Sequence, residues 1–326
     1  MAHAATQPVA PTADSPKKLA AIVLGLTTTL TLMLLAFAAP ALHSGPEDLP
    51  LAVSGPEQGV SQVTGALDKQ APGTFDVTTY GSADEAADAI RDREAIGGIA
   101  VGPDGITVQT AQGAGSAYTQ LLQGVGSGLE QSGQEVTYDE LAATTEDDPS
   151  GVGVSTLGLP LVFGGMATAA LLLMAYTGPV RLRLAGAATV AVLGGLVAAA
   201  VLQLGFGAFD GPYWEIAGSI AFGIFAISSV VLGLGTLLGG AGIGIGALTM
   251  LLVANPLSGL ANGPQWLPQP WGEIGQWLPV GATGSLVRSV AYFDGGGATG
   301  PVVVLAVWVA AGVLLAALGA RRRVAA

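Results

Sequence analysis

Residues 255–297 read NPLSGLANGPQWLPQPWGEIGQWLPVGATGSLVRSVAYFDGGG. Five prolines (Pro256, Pro264, Pro268, Pro270 and Pro279) and three of the chain's five tryptophans (Trp266, Trp271 and Trp277) fall in this stretch. Tryptophan favours the membrane–water interface, where its ring is apolar and its N–H stays wet. The stretch begins within the end of one uncharged apolar run, 239–260, and leads up to another, 301–319. It therefore reads as an excursion at one membrane face, with short helices over 272–278 and 282–292 lying in or dipping into the leaflet. Backbone that is not helical at that depth has to be covered by protein or line a cavity.

Working outward, four more apolar runs are long enough to cross a bilayer, which takes about 20 residues. They are 19–39, 155–177, 184–206 and 215–238. With 239–260 and 301–319 they predict six spans, the fourth and fifth turning at Gly239–Gly240. The first run has the basic and alanine-rich flanks of a signal peptide, but it exceeds the usual apolar core of about 7–15 residues. We read it as an uncleaved anchor. The composition agrees: of 326 residues, 51% are hydrophobic and only 10% charged, against about 25% charged in soluble domains.

Charge then orients the chain. Lys17, Lys18, Arg181, Arg183, Arg321, Arg322 and Arg323 fall on one side of six spans, and the positive-inside rule makes that side the cytoplasm. Both termini are expected inside, in a plasma membrane, and Arg288 outside. The net charge of −12 divides unevenly. Residues 41–154 hold 18 of the 23 acids and three bases (Lys69, Arg91, Arg93), a net −15, which leaves +3 elsewhere. Such an acidic segment stays soluble beside anionic head groups.

That segment has its own rhythm. Residues 57–70 predict a helix, 74–80 a strand, and Ser82 with Glu85 a capping box that opens a helix over 83–94. Residues 96–101 and 106–110 predict a hairpin around Pro103-Asp104-Gly105, and 118–131 a helix. The fold class expected is an α-helical integral membrane protein of six spans with a small extracellular α+β domain inserted between the first and second. Its parts are a tail (1–18), the first helix (19–40), the acidic domain (41–154), spans two to five (155–262), the outer segment (263–299), and the last helix with its basic tail (300–326).

Chemistry is sparse. There is no cysteine, and the two histidines, His3 and His43, lie outside the apolar runs. No metal or catalytic site is expected, and the chain is not expected to be an enzyme. No G-x-x-x-x-G-K-[ST] occurs, so this polypeptide binds no nucleotide through a P-loop. Nucleic acid is not an expected partner. Glu146-Asp147-Asp148 lacks the spacing of a calcium loop and reads as a solvated linker. Asp210 and Glu215, beside Tyr213 and Trp214, read as an interfacial belt. Gln203 is the one strongly polar side chain within a span, and an interhelical hydrogen bond is expected of it. Buried charge of the kind an ion-coupled carrier uses is missing. Gly235/Gly239 and Gly242/Gly246 form small-xxx-small pairs, expected either to pack helices within one chain or to form a dimer seam.

The order of one span, a large outer domain and five spans is joined by N-P-L-S-G, W-G-E-I-G-Q-W-L-P-x-G-A and L-V-R-S-V-A-Y-F before a last span with a basic tail. This pattern resembles the permease subunit of type-2 (exporter class) ABC transporters, in the YhgE/Pip-like branch. Residues 83–101 resemble that branch's helix-then-strand element. The resemblance implies an end-of-fifth-span motif at Asn255, Pro256, Ser258 and Gly259. It also implies a re-entrant element at Leu278, Pro279, Gly281 and Ala282, and a lead into the last span at Arg288, Tyr292 and Phe293. These residues are expected to shape an outer gate. The implied partners are a cytoplasmic ATPase that binds the ATP, a second copy or a related permease, and the lipid bilayer. The implied function is outward movement of an amphipathic or lipid-linked substrate, with Arg288→Ala and Pro279→Ala impairing it but not insertion. The short connection at 178–183 departs from the family's coupling helix. A non-transporting scaffold or receptor displaying the acidic domain is the alternative.

Overall fold

The first apolar run folds as α1 (Pro16–His43), and none of its residues is buried. Leu24 and Leu30 are about two-thirds exposed. A 28-residue helix that is apolar all round and uncovered by protein is at home in lipid, not in water. The computed structural model describes residues 16–325, with side chains described as far as Arg322. Residues 1–15 of the expected tail (1–18), among them His3, and the side chain of Arg323 lie outside the described residues. α1 continues through Pro40, where the sequence reading ended it.

Residues 49–140 form a sheet of order β2-β1-β3-β4-β5. The strands are β1 (Leu49–Ser54), β2 (Phe75–Tyr80), β3 (Gly98–Gly102), β4 (Gly105–Thr110) and β5 (Val136–Glu140). β1 pairs in parallel with β2 (Leu49 opposite Phe75) and with β3. β4 returns antiparallel on β3, and β5 runs parallel to β4. Between them run α2 (Glu57–Gln70), α3 (Ala83–Arg91) and α4 (Ser116–Gln131).

The strand period of two sorts β1 by size. Leu49, Leu51 and Val53 meet Val63 and Leu67 of α2, and Tyr118, Leu122 and Leu129 of α4. Ala52 faces the other way, against Ala86 and Ile90 of α3. The α3 side is small so that the helix can come close: a Cβ on Gly98 would lie 3.1 Å from Ile90 Cδ1. Ser82 caps α3, its Oγ accepting from Glu85 N at 3.1 Å while Gly81 N donates to Glu85 Oε2 at 2.9 Å. α3 ends at Arg91 rather than 94, and β3 begins at Gly98 rather than 96.

The other apolar runs form a helical bundle. α5 (Val152–Thr156) and α6 (Gly158–Ala175) follow one another with a break at Leu157. α7 (Val180–Ala199) widens into π-helix over Ala200–Gly205. α8 is Tyr213–Leu238, and α12 is Thr299–Ala325. α9 (Gly240–Leu248) likewise continues as π-helix over Thr249–Ala254. Five helical segments are long and apolar enough to cross a membrane: Pro16–His43, Val152–Ala175, Val180–Gly205, Tyr213–Leu238 and Thr299–Arg322. Gly240–Ala254, where the fifth span was expected, is shorter.

α8 is the bundle's axis, because glycines let its neighbours approach backbone to backbone. A Cβ on Gly233 would meet Gly312 O at 2.4 Å, and one on Gly319 would meet Leu237 N at 2.7 Å. These contacts run α12 parallel to α8. Arg181 and Arg183, expected in a connection, lie in the first turn of α7 instead. Pro179, with φ −63°, starts that helix early. Arg183 Nε donates to Tyr176 O at 3.0 Å. The connection is only residues 176–179.

Candidate functional site

The site is a helical hairpin, α10 (Trp271–Gln276) and α11 (Pro279–Tyr292), pushed into the bundle from the end that carries the sheet domain. Its depth follows from its neighbours. Trp308 Nε1 donates to Trp277 O at 2.8 Å, and Trp308 stands nine residues into α12. Gly223 packs on Thr283 ten residues into α8. At 1.5 Å per residue both place the tip about 14–15 Å below the helix ends. Pro279 opens α11, where a missing N–H costs nothing and the fixed φ suits the first turn. From Pro279 to Ala291 every residue of α11 is buried. The sequence-based helices at 272–278 and 282–292 thus lie at these two positions, the second starting three residues earlier.

Close contacts set the hairpin's shape. A Cβ on Gly275 would sit 1.6 Å from Leu257 O, and one on Gly281 would sit 2.3 Å from Gly275 O. Gln276 Nε2 donates to Ser258 O at 3.0 Å, and Ser285 Oγ donates to Gln276 Oε1 at 2.6 Å. Arg288 is 2% exposed. Its Nη1 and Nη2 donate to Gly259 O (3.3 Å) and Leu260 O (2.5 Å). The guanidinium fork thereby pins the turn after residue 254 onto α11, with Gly259 at φ +66° to form that turn.

The sheet domain is seated on the same hairpin. Tyr292 Oη donates to Ala208 O at 3.1 Å, while Gly113 packs against its ring. Phe293 is buried with Ala86 and Ile90 of the sheet domain. Tyr118 Oη donates to Gln265 Oε1 at 3.0 Å, and its ring meets Trp266 edge-on at 5.7 Å. Burial pushes the Tyr118 phenol above its ordinary range, more strongly than the nearby Arg288 cation lowers it.

Arg93 is the residue that sequence reasoning missed. It follows the end of α3 at φ +62°, with Glu94 N on Ala89 O and Arg93 N on Ile90 O. That is a Schellman turn with arginine where glycine is usual. The left-handed backbone costs such a residue about 1–2 kcal/mol. The strained turn sends the guanidinium across to α11, where Nη1 donates to Ser285 O (2.6 Å) and Ser289 Oγ (2.8 Å). It also lies 5.5 Å from the centre of the Phe293 ring. Burial, and then the Arg288 cation, lower its pKa to about 10, so it stays charged at neutral pH. A basic residue in the glycine position after a helix is the one local signal that marked it.

Asn255 and Pro256 stand apart from this interior set, and Gly259, which Arg288 holds, borders both. They line a cavity of about 330 Å³ beside Phe37 and Pro40 of α1. On the other side of α1, a groove of about 560 Å³ runs between Leu35, Ala39 and His43 and the facing Leu252, Val253 and Trp271. The expected gate residues therefore divide in two. Pro279, Gly281, Arg288, Tyr292 and Phe293 build the hairpin and its seat, while Asn255, Pro256 and Gly259 face α1.

The glycine pairs are used within the chain. Gly239, at φ +66°, turns α8 into α9. A Cβ on Gly242 would meet Leu234 O at 2.0 Å, one on Gly246 would meet Val231 Cγ2 at 2.9 Å, and one on Gly235 would meet Leu173 Cδ1 at 2.4 Å. Gln203 donates to Gly211 O at 2.6 Å, in the connection to α8, and not to a neighbouring helix as expected. Asp148 accepts from Val152 N and Gly153 N, which makes it the cap of α5. Among the described residues no cluster of three metal-ligating side chains occurs. Comparisons with protein-family models, with curated proteins and with solved structures return no match for the chain.

Proposed function

We propose that the chain is the membrane-spanning permease of an ABC-type exporter, moving an amphipathic or lipid-linked molecule outward across the plasma membrane. In this reading it has six crossings. Gly240–Ala254 is the fifth, about 22 Å long at 1.5 Å per residue. The hydrocarbon core is about 30 Å thick, and the difference is covered by the turn at 255–263 and the hairpin. The end of the bundle that carries the basic residues faces the cytoplasm in this reading, with the sheet domain outside, and the positive-inside rule supports it. ATP is hydrolysed by a separate subunit, and the permease acts as a pair with a second copy or a relative. The chain itself performs no catalysis.

One observation carries this reading. The groove between α1 and the segment from Leu252 to Trp271 is lined mainly by apolar side chains, and its α1 wall belongs to a helix with no buried residue. A substrate with an acyl chain can enter from the bilayer there while its polar head meets the His43 end. A second reading, a scaffold that displays the acidic domain without transport, is favoured by the short connections at residues 176–179 and Gly239, which offer an ATPase little surface.

The test is transport of a fluorescent lipid-linked probe in membranes that hold the chain and its co-purifying proteins, with ATP. The permease reading expects ATP-dependent outward movement, abolished when Ala39→Trp fills the groove. Movement that is absent, or that Ala39→Trp leaves unchanged, refutes it and leaves the scaffold.

A further inference from the structure

A crevice of about 360 Å³ opens where the turn after α3 meets the hairpin and the start of α12. Its inner wall is polar, formed by Arg93, Gln265, Gln276 and Ser285, and its outer wall is apolar, formed by Trp277 and Val304. Two guanidiniums, Arg93 and Arg288, are packed into this junction, yet among the described residues neither meets a carboxylate within 4.0 Å. Asp92 stands at the crevice wall without pairing to either. Buried charges are normally paired. Arg93 spends only Nη1 on the protein: its Nε and Nη2 donors have no acceptor among the described residues. The side chain keeps part of its surface open, and its backbone holds a strained conformation to place it there.

We propose that this crevice binds a phosphate-bearing anion, with Arg93 as the ligand to the phosphate. A guanidinium with two free donors matches the paired oxygens of a phosphate. The walls add the second half of the recognition. Trp277 is 67% exposed, and Pro301 and Val304 stand in the first turns of α12, at the level of the leaflet interface in a membrane placement of that helix. A phospholipid seated there lays its chains along Trp277 and Val304 and its head on Arg93. A free phosphate uses Arg93 alone. The site depends on no ATPase and on no transport step.

The test uses the full-length chain purified in detergent, with phosphatidylglycerol, phosphatidylcholine and inorganic phosphate as probes. Retained lipid is measured by native mass spectrometry, and phosphate binding by the shift in unfolding midpoint. Gly300→Phe is the deciding variant. Gly300 lines the crevice, a Cβ there meets nothing within 4 Å, and Arg93 keeps its bonds. Arg93→Gln removes the charge. A headgroup site predicts phosphatidylglycerol retained at least tenfold over phosphatidylcholine, with that preference lost in both variants. A free-anion site predicts that phosphate raises the midpoint of the parent but not of Gly300→Phe, with no lipid preference. If neither phosphatidylglycerol nor phosphate is preferred, or if Gly300→Phe binds as the parent does, the proposal is overturned. Should Arg93→Gln fail to fold, Gly300→Phe still decides.

Discussion

Gly275→Ala tests how tightly the hairpin is built. The new Cβ would lie 1.6 Å from Leu257 O and 2.6 Å from its carbonyl carbon. Ordinary contact begins near 3.4 Å, so α10 and the turn beneath it must separate by roughly 1.8 Å. Neither side can yield by rotating a side chain, because the obstacle is backbone. Overpacking a core with a flexible neighbour costs about 1–3 kcal/mol, and this clash lies at or above the top of that range. The same movement stretches the 3.0 Å bond from Gln276 to Ser258 O, worth about 1 kcal/mol. The expected loss is about 4 kcal/mol, or a midpoint lowered by about 6 °C for a chain of this size. Gly244→Ala is the control. A Cβ there meets nothing within 4 Å, and alanine in a helix gains about 0.5–1 kcal/mol over glycine. Thermal unfolding in detergent reads both. A Gly275→Ala midpoint within the scatter of Gly244→Ala refutes the close approach of α10 to the Leu257 turn.

Arg288→Met leaves Gly259 O and Leu260 O buried without their donor, at about 1–3 kcal/mol for each unsatisfied group; the variant should insert normally and unfold at a lower denaturant concentration, with Arg288→Lys restoring part of the loss. Tyr118→Phe tests the buried phenol. The folded pKa is raised above its ordinary 10.0, so above pH 10 the unfolded chain releases a proton that the folded chain keeps, and stability falls with rising pH. The difference in unfolding free energy between parent and Tyr118→Phe should be constant below pH 9 and shrink above pH 10. A constant difference to pH 11 contradicts the burial.

The long helices were legible because lipid demands long uncharged runs, and because Gly239 was the strongest breaker within 38 uncharged residues at 216–253. In the sheet domain, the Ser82 cap and the Pro103-Asp104-Gly105 turn rest on local chemistry and stand where the sequence places them. β5 was missed for a physical reason. It is an edge strand, four of its five residues are exposed, and Asp139 and Glu140 break the alternation that marks a half-buried strand. β1 was read only as a short apolar run, since a strand buried on both faces has no period to detect. Arg93 was out of reach because its partners, Ser285 and Ser289, lie 192 and 196 residues away. The splitting of the expected gate residues was out of reach as well. Pro256 and Pro279 carry the same local signal, and only packing puts one beside α1 and the other at the buried start of α11.

The proposed topology puts the hairpin and the sheet domain on one face of the bundle and counts Gly240–Ala254 as a sixth crossing. The chain has no cysteine, so single cysteines can be introduced at will. With a membrane-impermeant maleimide on intact cells, Asp104→Cys in the β3–β4 turn and Gln269→Cys just before α10 should label at once. Thr177→Cys and Leu238→Cys should label only after permeabilisation. Labelling of Gln269→Cys only after permeabilisation, with Asp104→Cys labelled on intact cells, would mean that Gly240–Ala254 does not cross, and the account fails.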